Sequence, residues 1–260
     1  MNKDLVIVKL GGSAITYKNK AFAPRKGVIE TLAKEIKELL GEVSLVIVHG
    51  GGSFGHRVAN QYSLDQGLRK SGQLIGVSKV RYRMTELSQM ITGEMIKEGI
   101  PVFPLHPSSF VISSSCKIRL FFDKPVKAAL EKGLVPLTFG DIILDKKKGI
   151  SILSGDDLAC RLAINLKALR LVYGTDVNGV YVNTPSGDKI LAKKLRVSEL
   201  SKVRFCSAGV DVTGGMRHKL KTASEAVKAG IKVLIGNITV PGVLSNMVLE
   251  KPDNYTVLIP

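Results

Sequence analysis

Two stretches of this chain, LVIVKLGGS (5–13) and LVIVHGGGS (45–53), agree at seven of nine positions, differing only at Lys9/His49 and Leu10/Gly50. Each is a continuous apolar run that stops at glycines, which reads as a strand buried on both faces. No third copy turns the echo into a repeat array. Two such units predict two strand–glycine-loop–helix modules opening toward one crevice. Apolar runs at 101–105, 134–139, 169–174 and 232–236 read as further buried strands. Helical periodicity marks 28–42, 77–95 and 216–230, and 142–153 reads as a hairpin with a basic tip. Strands alternating with helices predict an α/β chain with an open, mostly parallel central sheet. Ligands then sit beyond the carboxyl ends of the strands. A soft boundary is expected near residue 165, separating an N-terminal lobe (1–165) from a C-terminal lobe (166–260).

Charge narrows the partners. Thirty-eight lysines and arginines against 22 acids give a net charge of +16, which suits nucleic acid, acidic surfaces or anionic small molecules. The basic residues are scattered in short clusters, Trp is absent and aromatics make up 5%, so a nucleic-acid partner is disfavoured. Cys116, Cys160 and Cys206 lie too far apart in sequence for a C-x-x-C pair, which argues against a disulfide framework or zinc site and for a reducing compartment. The N-terminal segment does not fit a signal peptide, and no apolar run approaches membrane-spanning length. The expectation is a cytoplasmic protein without a membrane partner.

Glycines 50, 52 and 55 match the dinucleotide spacing G-x-G-x-x-G. That fingerprint also needs an acid ending the next strand, about 20 residues on. No Asp or Glu occurs between Asp65 and Glu86, and no strand separates them. A Walker A loop is absent as well. Lys9 lies two residues before Gly11–Gly12–Ser13, and Lys219 lies three residues into the helix after the glycine pair of VTGGMRHKL (212–220). Exposed amides, a helix N-terminus and ammonium groups together make a site for a transferring phosphoryl group.

KLGGS (9–13), HGGGSFGH (49–56), SGDD (154–157), GTDVNGVY (174–181) and TGGMRHK (213–219), in this order, resemble the amino acid kinase superfamily. The GSFGH ending, the HPSSF segment (106–110) and the SGD motif are most similar to its isopentenyl phosphate kinase branch. The resemblance implies an αβα sandwich, ATP as phosphoryl donor, Mg2+ and a homodimer. It implies that the N-terminal lobe binds a phosphate acceptor and carries the first ATP-phosphate loop, and that the C-terminal lobe binds the nucleotide. Isopentenyl phosphate is the implied acceptor; a carboxylate, UMP or phosphonate acceptor is the alternative, and a nucleic-acid-binding protein retaining the fold is a more distant one.

Residue by residue, the resemblance puts Lys9 on the transferring group and Gly11, Gly12 and Ser13 along the ATP phosphates. Gly51 and Gly155 face the acceptor and Gly52 the nucleotide. Asp176 and Tyr181 contact the nucleotide, and Gly215 and Lys219 hold its phosphates. Lys18 either reaches the phosphates or is surface. Asp141 and Asp156 either orient lysines or cap helices. Asn178 stands where the family commonly has aspartate; it suits a turn but brings no charge. A phosphate monoester, with a second pKa near ~6, is already a nucleophile at pH 7 and needs no general base. His56 is then expected to hold the acceptor phosphate, while His49 and His106 are structural or support the site from behind it rather than being catalytic. The apolar stripe Val77, Val80, Met84, Leu87, Ile91 and Met95 is a core face, and part of it could also wall an apolar acceptor tail.

Overall fold

The computed structural model describes residues 3–184, 188–200 and 215–260. The chain opens with β1 (Leu5–Leu10), the single turn α1 (Gly12–Ile15), α2 (Lys26–Leu39), β2 (Ser44–His49), α3 (Gly52–Gln61) and the long helix α4 (Gln73–Lys97). Next come β3 (Val102–Pro104), a hairpin of β4 (Val111–Ser114) and β5 (Lys117–Phe121), α5 (Lys124–Glu131) and β6 (Val135–Phe139). A second hairpin, β7 (Asp141–Asp145) and β8 (Gly149–Leu153), leads to α6 (Gly155–Asn165) and β9 (Arg170–Thr175). The ribbon β10 (Tyr181–Asn183) and β11 (Lys189–Leu191) precedes β12 (Lys194–Arg196), α7 (Gly215–Lys228), β13 (Lys232–Asn237), α8 (Val243–Val248) and β14 (Tyr255–Ile259).

Eight strands form the main sheet in the order β12-β14-β13-β9-β1-β2-β6-β3. Among the described residues every pairing in it is parallel except β13 with β14. Strand β1 shows why its sequence is apolar without alternation. Val6 and Val8 feed a core shared with α2, α3, α4 and α8, while Ile7 feeds a second core with α6 and α7. All three are fully buried, as both faces of a helix-covered parallel sheet require. The result is the expected αβα sandwich, and its sheet runs without a break through strands from both sides of residue 165.

One expectation needs correction and another gains a detail. The run 101–105 is an edge strand, half-buried at Val102 and exposed at Phe103 and Pro104; proline cannot donate to a ladder and belongs at an edge. The 142–153 hairpin forms as expected, with Lys146–Lys148 at its tip, and belongs to a separate four-stranded sheet of order β5-β4-β7-β8. Because β1, β2, β6, β9 and β13 run in the same direction, their carboxyl ends and the loops after them share one edge.

Candidate active site

At that edge the two echoed units meet. The Gly11 amide donates to the Gly174 carbonyl at the end of β9 (2.9 Å). A Cβ on Gly50 would stand 2.7 Å from the Gly12 nitrogen, so the loops after β1 and β2 pass with no room for side chains. Thr16 fastens them: its hydroxyl donates to the Gly12 carbonyl (2.8 Å) and accepts from the Ser53 amide (3.0 Å). Gly52 sits at φ +48, a conformation that favours glycine, with Thr16 Oγ1 directly over it.

Beneath the loops lies a buried triad of charges. Asp156 Oδ1 is 2.8 Å from Lys9 Nζ, and Asp156 Oδ2 is 2.9 Å from Lys219 Nζ. All three side chains are at most 10% exposed. Asp156 occupies the first turn of α6, whose N-cap Ser154 accepts from the Asp156 amide (3.1 Å). Burial opposes its ionisation, but Lys9 and Lys219 overcome that and hold the carboxyl well below the usual range. Lys219 is lowered to about 8, first by burial and then by the Lys9 charge, against the pull of Asp156. Two ammonium groups thus share one carboxylate. One positive charge is left unbalanced, and an anion would complete the cluster.

The flanking residues surround this centre. Asp176, just past β9, accepts from Ser13 Oγ (2.8 Å) and pairs with Lys18 Nζ (3.1 Å). Burial works against the ionised form, yet these two donors lower its pKa. Lys18, with a side chain 42% exposed, is therefore tied to the first loop rather than free. Gly155 opens α6, and a Cβ there would lie 3.6 Å from Lys9 Cε. Gly51 backs onto Met84 of α4, whose Sδ would be 3.0 Å from a Cβ on either Gly51 or Gly55. Tyr181 begins β10, half-buried, and Gly215 begins α7, exposed. The preceding residues of the VTGG loop (212–214) lie outside the described residues.

His56 stands in the second turn of α3, one turn beyond the glycine loop, so it does not cap the helix. The residue is exposed, but the surrounding chain desolvates its imidazole and the Lys9 charge repels the protonated form, lowering the pKa below 6.5. It has no hydrogen-bond partner among the described residues. His49 is structural: fully buried, stacked on Phe139 at 5.0 Å, and bonded through Nδ1 to the Gly50 carbonyl. Burial pushes its pKa down to about 4, so it is neutral and donates from Nδ1.

Of the two aspartates left open above, Asp156 orients lysines. Asp141 does neither job: it is a β7 residue that accepts from the Ile142 amide and faces Arg81 Nε at 3.5 Å, with burial raising its pKa to about 6. Asn178 accepts from Asn237 Nδ2 (3.2 Å), a turn contact that needs no charge. Two contributors had no motif to mark them. Thr16 sits four residues after Gly12, and only the fold brings it to Ser53. Tyr173 lies inside an apolar strand, under Lys219.

The model of the Amino acid kinase family matches residues 4–237. Isopentenyl phosphate kinase of Methanocaldococcus jannaschii is 35% identical over 226 residues, covering 83% of this chain and 85% of that one. The enzyme of the same name from Methanothermobacter thermautotrophicus is 30% identical over 254 residues, covering 94% and 95%. An X-ray structure of isopentenyl phosphate kinase superposes with a TM-score of 0.84 at 28% identity, over 98% of this chain and 99% of that one. The chain belongs to the amino acid kinase family, in its isopentenyl phosphate kinase branch.

Proposed function

We propose that the chain transfers the γ-phosphoryl group of ATP to the phosphate of isopentenyl phosphate, giving isopentenyl diphosphate and ADP. The observation that carries this reading is the Lys9–Asp156–Lys219 triad beneath two touching glycine loops, in a chain that shares 35% identity with a kinase of that name. Donor and acceptor are both anions, so the barrier to be lowered is their mutual repulsion. Lys9 and Lys219 offset charge on the transferring group, the loop amides of Gly11, Gly12, Ser13 and Gly52 receive the ATP phosphates, and Gly215 lies beside them. Lys18 steadies the first loop through Asp176, and Tyr181 borders the nucleotide. Gly51, Gly155 and His56 receive the acceptor phosphate, which supplies its own nucleophilic oxygen. Met84 and its neighbours on α4 border the acceptor's apolar tail.

Magnesium fits as an ion that arrives on the nucleotide. It would be held mainly by phosphate oxygens and water and would offset phosphate charge. A homodimer is supported by apolar side chains left exposed on α4, namely Leu74, Ile75, Tyr82, Met90 and Ile96. The free thiols of Cys116 and Cys160 suit the cytoplasm. Among the described residues no helix is long and apolar enough to cross a membrane.

The test is a panel of acceptors with ATP and magnesium, products identified by mass. Isopentenyl phosphate should be converted with the highest kcat/KM. Preference for a carboxylate, UMP or a phosphonate would replace the proposed acceptor, and salt-sensitive RNA binding without ATP turnover would remove the kinase reading.

A further inference from the structure

Tyr173 lies in the middle of β9, fully buried, and is the register partner of Lys9 on β1. Any apolar side chain would satisfy burial there; a phenol must also find partners for its hydroxyl. Tyr173 Oη lies 3.2 Å from the Asp156 carbonyl oxygen and 3.0 Å from Thr222 Oγ1. Thr222 in turn donates to the Lys219 carbonyl (2.9 Å). With the Thr222 proton on the Lys219 carbonyl, the Tyr173 proton is shared between the Asp156 carbonyl on α6 and Thr222 Oγ1 on α7. Over the ring, Lys219 Nζ sits 4.8 Å from the centroid, within range for attraction to the negative π face.

We propose that Tyr173 is a positioning residue for the second cation: its ring, held in place by the sheet and by the hydroxyl contacts to α6 and α7, supports the Lys219 ammonium. The charged groups facing Lys219 are Lys9 from β1 and Asp156 from α6. One carboxylate shared between two ammonium groups leaves each half-compensated, and a π face adds negative potential without a further charge to neutralise. It also leaves the site positive for an incoming phosphate, which a second carboxylate would not. The proposal rests on reading Lys219 as a ligand of the nucleotide phosphates.

The test is equilibrium binding of ATP to the full chain, without acceptor, between pH 7 and 9.5. Tyr173→Phe keeps the ring and should bind ATP within about threefold of the parent. Tyr173→Leu should bind about tenfold more weakly, with the alkaline loss of affinity beginning about one pH unit lower. On a Lys219→Gln background the leucine substitution should have no further effect. Should the leucine variant fail to fold, phenylalanines of increasing ring fluorination at position 173 keep the shape while weakening the π face, and affinity should fall stepwise. Equal affinity across that series, or a leucine effect that persists undiminished without Lys219, would overturn the proposal. A parent chain that binds no ATP at all would overturn the functional reading first, and this inference with it.

Discussion

A Cβ placed on Gly12 would stand 2.3 Å from the main-chain nitrogen of Gly52. The two glycine loops therefore meet backbone to backbone, and neither can recoil by turning a side chain. Gly12→Ala should cost about 3 kcal/mol, at the upper end of overpacking penalties, and displace both loops, with activity falling further than stability. Urea denaturation beside steady-state kinetics checks this; an alanine variant with parental midpoint and turnover would mean that the loops have slack.

Asp156 is the only anion between Lys9 and Lys219 among the described residues. Asp156→Asn leaves two buried ammonium groups facing each other, and removing one side of a buried ionic cluster costs about 3–5 kcal/mol. The asparagine chain should also bind ATP over a narrower pH range, because Lys219 loses the carboxylate that raises its pKa. Denaturation and ATP binding, each followed between pH 6 and 9, measure both effects.

Lys219, lowered to about 8, predicts an alkaline limb. As pH rises through that value the free enzyme loses an ammonium, and kcat/KM for ATP should fall. Stability moves the other way. Between about 8 and the ordinary 10.5 the unfolded chain binds more protons than the folded one, so this group's contribution rises with pH. Its limb should disappear from the profile of Lys219→Gln.

His49 sets an acid limit. With a folded pKa of about 4 against 6.5 in the unfolded chain, the unfolded state binds more protons across that interval. Stability should therefore drop as pH falls from 6.5, by roughly 3 kcal/mol on reaching 4. His49→Phe, which can keep the stack on Phe139, should remove that slope while losing the bond to Gly50. An unchanged acid slope would show that the histidine is not the group responsible.

The glycine loops and the strands before them were legible because backbone crowding excludes side chains and double-sided burial excludes alternation; both leave marks at fixed positions. Lys9 and Lys219 were legible as cations next to such loops. Their common carboxylate was visible only as one of two candidates, since a helix-capping and a lysine-orienting aspartate look alike in sequence. Asp141 shows the converse: its partner Arg81 is 60 residues away on α4 and no spacing connects them. Thr16 and Tyr173 act through contacts that exist only after the sheet assembles, so nothing local distinguishes them from ordinary core residues.

In the proposed reaction, amides and cations relieve the repulsion between two anions, and the imidazole of His56 holds the acceptor. The direct measurement is the steady-state kinetics of His56→Ala with each substrate varied in turn. A hydrogen bond to a charged group is worth about 1.5–3 kcal/mol, so kcat/KM for isopentenyl phosphate should fall about 10- to 100-fold, while KM for ATP and the unfolding midpoint stay near those of the parent. Unchanged acceptor kinetics, or a loss confined to ATP, would contradict it.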